Sequence, residues 1–157
     1  MSGQGAPEVA VPDAAGLTLG IVATDWNAAV VEQLLKRALD AAADAKVAEV
    51  KVLHVAGAVE LPIAAQALAR RYDAVVALGT VIRGGTAHFD YVCKSVTEGL
   101  TRIALDESTP VAHGVLTVDN QEQALARAGY PESTEDKGYE AVVAALGAAL
   151  AIRSLDA

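Results

Sequence analysis

Four short aliphatic runs, each followed by a segment long enough to fold into a helix, constrain this chain more than anything else in it. Residues 17–23, 50–56, 74–78 and 111–117 are largely apolar without a strict alternation of polar and apolar positions, as expected of strands covered on both faces. Between the first two, Val30, Val31, Leu34, Leu35, Ala38 and Leu39 recur with helical period, with Thr24 or Asp25 available as the cap. Pro62 suits the first turn of a second helix reaching about Arg71, and a third, from about 87 to 103, carries Tyr91, Val92, Val96 and Leu100. Asp119 with Glu122 is a plausible capping pair for a short helix ending at Gly129. Ser133 with Asp136 would open the last helix, apolar nearly all round from 141 to 152. Connections of this length join parallel strands, so the pattern predicts an α/β fold with a four-stranded parallel sheet and helices on both faces. Ligands then bind at the carboxyl ends of the strands, where Trp26, Glu60 and the segment from Thr80 to His88 each follow a different strand.

The stretch DAVVALGTVIRGGTAHFDYVC, residues 73–93, reads as strand, glycine turn, helix, with Gly79, Gly84 and Gly85 before Thr86 as a cap. Unpaired N–H groups and the positive end of the helix dipole make such a junction attractive to phosphate or carboxylate. His88 falls in the first helical turn, where the dipole disfavours the imidazolium and leaves a ring able to accept a proton. The spacing matches neither a P-loop nor GxGxxG.

Other positions carry both an ordinary and a functional reading. Trp26 beyond a strand end can pack or stack on a planar ring. Glu60 can complement a helix N-terminus or hold a ligand, and Arg127 can complement a helix C-terminus or hold an anion. At 157 residues the chain is one domain, expected to follow a loose arm over residues 1–16 and to occupy 17–157. With 53% hydrophobic but only 4% aromatic residues, its core is built from Ala, Val and Leu. The net charge of −8, with basic residues scattered, argues against nucleic acid. The first residues do not read as a secretory signal, and the apolar stretch 141–152 is short for a bilayer. One cysteine, Cys93, fits a reducing cytoplasm and reads as core filler, and three distant His give no basis for a zinc site. An apolar last helix needs partners on more than one side, which points to a subunit interface.

The segment VIRGGTAHFDYVC resembles the signature loop of the lumazine synthase family. GAVELP at 57–62, NQEQALARAG at 120–129 and EDKG at 135–138 resemble three further signatures in the family's order and spacing, so the likeness runs from about Leu17 onward. It implies a flavodoxin-like three-layer sandwich assembling as a homopentamer, sometimes as twelve pentamers in an icosahedral shell. It also implies condensation of 5-amino-6-ribitylaminouracil with 3,4-dihydroxy-2-butanone 4-phosphate, without cofactor or metal. The resemblance puts Trp26 against the pyrimidine, with Thr80, Val81 and Ile82 at its edge, and Ala58, Val59 and Glu60 toward the ribityl chain. Gly85 and Thr86 would hold the phosphate with Arg127 of the adjacent subunit, and His88 would transfer protons. Lys137 matches a lysine near the family's site. Gly85 stands where relatives often carry Glu, Gln or Ala. His113, at the pyrimidine-side rim, stands where they commonly carry Phe or Asn, and a core histidine is its alternative use. A non-catalytic shell or flavin-binding protein on the same fold, or an unrelated flavodoxin-like phosphate module, are the competing classes.

Overall fold

A computed structural model describes residues 3–157; Met1 and Ser2, the start of the expected arm, lie outside the described residues. Four strands, β1 (Thr18–Thr24), β2 (Glu49–Val55), β3 (Ala74–Ile82) and β4 (Val111–Val118), form one parallel sheet in the order β2-β1-β3-β4. Helices α1 (Ala28–Asp44) and α5 (Lys137–Arg153) cover one face; α2 (Leu61–Ala69) and α3 (His88–Glu107) cover the other, and the short α4 (Gln121–Leu125) follows β4. The three-layer α/β sandwich is the flavodoxin-like arrangement expected. Successive residues of the central strands serve different cores. Leu19, Ile21, Val76 and Leu78 face α1 and α5, whereas Val22, Val75 and Ala77 face α2 and α3.

The chain reaches β1 as an exposed, irregular stretch over 3–13, anchored where Ala14 is buried and donates its N–H to Ala45 carbonyl at 2.8 Å. Beyond β1, the N–H groups of Asp25 and Trp26 are still bonded to the end of β2, so neither Thr24 nor Asp25 caps α1. Instead Asn27 makes the turn in the left-handed region (φ 57°, ψ 49°), which an asparagine tolerates better than most residues. β3 runs four residues past its expected end, so Gly79 lies inside the strand and the glycine turn is residues 83–87. α3 extends to Glu107, beyond the 103 expected.

The caps after β4 also differ from expectation. Asn120, not Asp119, caps α4: its Oδ1 accepts from Gln123 N–H at 2.9 Å while Gln123 Oε1 accepts from Asp119 N–H at 2.7 Å. Asp119's own carboxylate is taken by Arg83, and the helix stops at Leu125, not Gly129. Ser133 does not open α5, because its hydroxyl bridges Tyr130 N–H and Leu125 carbonyl; Asp136 precedes the helix but turns its carboxylate to Arg37. Together with the terminal turn, α5 has the length and mean hydropathy (1.3) of a membrane span, more than residues 141–152 alone suggested. It packs Ala141, Val142, Ala145, Leu146 and Ala149 into the core against α1 and the sheet, as a core helix does, leaving Ala144 and Ala148 exposed.

Candidate functional site

At the carboxyl edge, the segment after β1 meets the turn after β2. Gly57 is in contact with both Trp26 and Glu60: a β-carbon on it would stand 3.4 Å from the indole Cδ1 and 3.3 Å from Glu60 Oε2. Glu60 Oε2 accepts the Gly57 N–H at 2.9 Å, so this carboxylate does cap the 3-10 turn 58–60 before α2. The indole of Trp26 is 70% exposed and Val59, in the turn that follows Gly57, is also exposed, leaving an aromatic face and an aliphatic side chain without cover at the strand ends. Asn27 Nδ2 donates to Thr80 carbonyl at 3.0 Å and so ties this corner to β3. An asparagine between a strand and a helix is the sequence signal for such a turn.

Thr80, Val81 and Ile82 end β3. Thr80 is buried with its carbonyl engaged by Asn27, so it stands behind the edge, while Val81 and Ile82 are half-buried and come to the surface. Residues 83–88 are all exposed. Neither Gly84 nor Gly85 has a positive φ, and no atom lies within 4 Å of where a β-carbon would sit on either. Packing therefore does not demand glycine here; the missing side chains leave open space above the backbone, room for a bound anion. His88 is the first residue of α3, and its N–H reaches Thr86 Oγ1 at 3.4 Å.

Arg83 braces this loop, a role not foreseen from sequence. Its Nε donates to Asp119 Oδ1 at 2.8 Å, its guanidinium lies 4.4 Å from the Phe89 ring centroid, and its N–H bonds Val118 carbonyl. The hydrogen bond from Arg83 holds the Asp119 carboxyl below its ordinary range. Cys93, one turn into α3, has its thiol pushed up by burial and then by the Asp90 charge, which keeps it protonated and disqualifies it as a nucleophile.

The remaining candidates sit elsewhere. Arg127 and Lys137 are brought side by side by an antiparallel bridge between Ala128 and Asp136, and Lys137 N–H donates to Arg127 carbonyl at 3.0 Å. Arg127 Nη1 bonds Gln123 carbonyl at 2.9 Å, which is the helix-end role its position suggested. Both cations also face Glu135, with Arg127 Nε at 3.6 Å and Lys137 Nζ at 3.7 Å from the same Oε2. Among the described residues, no hydrogen bond, ion pair or ring contact joins Arg127 to Gly85, Thr86 or His88 of its own chain. His113, on the edge strand β4, is exposed by area and so is not a core histidine; partial desolvation nonetheless lowers its pKa, keeping the imidazole neutral at pH 7. Among the described residues no group of His, Cys, Asp and Glu could hold a metal ion.

The sequence profile of the 6,7-dimethyl-8-ribityllumazine synthase family matches residues 16–153. A protein of that name from Saccharopolyspora erythraea is 61% identical over 99% of this chain and 94% of its own length. Namesakes from Thermobifida fusca and Salinispora arenicola are 64% and 62% identical over 99% of this chain, and 91% and 93% of their own.

Proposed function

The chain belongs to the 6,7-dimethyl-8-ribityllumazine synthase family, and from that premise we propose how its residues divide the work of the family's reaction in riboflavin biosynthesis. As a transferase of this family it condenses 5-amino-6-ribitylaminouracil with 3,4-dihydroxy-2-butanone 4-phosphate. The ring amine attacks the ketone and water leaves to give a Schiff base. Phosphate is then eliminated, and the ribitylamino nitrogen closes the ring with loss of a second water.

Trp26 stacks on the pyrimidine, the backbone at Val81 and Ile82 meets its edge, and Ala58, Val59 and Glu60 line the ribityl chain. Thr80 supports that edge from within, and His113 stands at the pyrimidine-side rim. The Gly85–Thr86 backbone at the start of α3 receives the phosphate of the four-carbon substrate, with Arg127 and Lys137 supplied by the adjacent subunit. His88, one residue beyond the loop, carries protons between the amine, the ketone oxygen and the leaving groups. Holding amine and ketone together supplies much of the rate, since both are already reactive. The observation that carries this reading is the exposed indole of Trp26 set against Gly57 and Glu60 at the strand ends.

The assembly we propose is a homopentamer, alone or as twelve pentamers in a shell, working in the cytoplasm. Exposed Val59, Ile63 and Tyr91 on neighbouring elements support it, as apolar surface that a second copy would cover. Mixing the purified protein with both substrates tests the activity: the fluorescent lumazine should accumulate with stoichiometric phosphate, and its absence would refute the reading.

A further inference from the structure

Lys137 is a cation at the first position of a helix, where the dipole opposes it, and its side chain is only 16% exposed. Two carboxylates offset it: Glu140 at 3.4 Å and Glu135 at 3.7 Å. Glu135 Oε2 is shared with Arg127, so that among the described residues Arg127 and Lys137 face Glu135 and Glu140 in one partly buried group. The geometry around that oxygen is unusual. It is fully buried, in a side chain 22% exposed, yet makes no hydrogen bond among the described residues; nor does Glu140 Oε2. A carboxylate installed to fix Arg127 rigidly would accept a direct hydrogen bond, whereas this one stands off both cations by more than 3.5 Å. Backbone hydrogen bonds already set the loop: Glu135 N–H to Ala126 carbonyl at 3.0 Å, Gly129 N–H to Glu135 carbonyl at 3.1 Å, and Lys137 N–H to Arg127 carbonyl. The carboxylate is therefore not needed to hold the cations in register.

The geometry points to Glu135 as a positioning residue that acts through Arg127 and Lys137: a displaceable counterion that sets how tightly phosphate is held and how readily it leaves. This rests on the proposed role of Arg127 as a phosphate ligand. With the anion absent, Glu135 and Glu140 neutralise the pair; with it bound, Glu135 adds repulsion at close range, weakening the grip on both the substrate's phosphate and the phosphate released. No bond to Glu135 is made or broken. The carboxylate only competes for the charge of the two cations.

The test uses the assembled protein, with inorganic phosphate as the titrant in calorimetry and steady-state KM values for both substrates. Glu135→Gln keeps the shape and removes the charge, so phosphate should bind about fivefold tighter or more at low salt, the gain shrinking as salt rises. KM for the butanone phosphate should fall and KM for the pyrimidine should stay as it was, a split that a loss of loop structure would not produce. Glu135→Asp, which keeps the charge, should bind phosphate less tightly than Glu135→Gln. Unchanged or weaker phosphate binding in Glu135→Gln overturns the inference provided Arg127→Ala weakens it. Should Glu135→Gln fail to assemble, Glu140→Gln must tighten phosphate through Lys137, and its failure to do so overturns the inference equally. If Arg127→Ala binds phosphate as the parent does, the assignment of Arg127 itself is wrong and the inference falls with it.

Discussion

Gly138 on α5 lies against Leu34 on α1 so closely that a β-carbon on the glycine would overlap the carbonyl oxygen of Leu34. This backbone-to-backbone crossing lies one residue beyond Lys137. A methyl group there must push α5 off α1, and Gly138→Ala should destabilise the protein by about 1–3 kcal/mol, as overpacked cores do. Gly147, further along the same helix, has no positive φ, and no atom lies within 4 Å of the place a β-carbon would take. There Ala should gain about 0.5–1 kcal/mol from helix propensity. Chemical denaturation of both variants checks the opposite signs.

His88→Ala should slow lumazine formation by about tenfold, less than the roughly 10²–10⁴-fold that a sole proton carrier supplies. With amine and ketone still held together, protons can pass through water in its absence. Rates equal to the parent's across roughly pH 6 to 8 would remove it from the chemistry.

Arg127→Ala should raise KM for the butanone phosphate at least about tenfold and leave KM for the pyrimidine nearly unchanged, since only the former carries the charge. Were Arg127 serving only Gln123 and its own helix end, both substrates would respond alike, with a small loss of stability. Mixed assemblies sharpen the comparison: at butanone phosphate well below KM, Arg127→Ala subunits co-assembled with Thr86→Pro subunits should be more active than the two parents summed. Activity no greater than the sum of the two parents would show that each chain uses its own arginine.

Light scattering at micromolar concentration should return a mass of five chains or a multiple of it. A stable monomer would leave Trp26, Ile63 and Tyr91 as exposed as they are in the single chain, and would contradict the shared site.

The layers and strand directions were legible because aliphatic runs and crossover lengths depend on side-chain patterning, which a sequence displays directly. The caps were less so. Asp25, Asp119 and Ser133 all have capping chemistry, but other partners took their backbone or side chains: β2 holds Asp25 N–H, Arg83 takes Asp119, and Tyr130 with Leu125 takes Ser133. Glycine was misleading at Gly79, which continues β3 because Leu61 and Thr24 pack over it, and informative at Gly84 and Gly85. Arg83 reaches Asp119 across 36 positions of the chain, which no local spacing announces, whereas the counterions of Lys137 are its chain neighbours Glu135 and Glu140 and lie within reach of a local reading.

If Arg127 serves the glycine loop of a neighbour, as proposed, the number of complete sites depends on how the subunits close. A chain that lends Arg127 to one neighbour and borrows from the other makes a head-to-tail contact, so an open row of subunits always has one site fewer than it has chains. Only closure into a ring gives every loop its arginine. Specific activity per chain should therefore report whether the ring is complete: a small open fragment loses a large share of its sites, whereas the closed ring loses none.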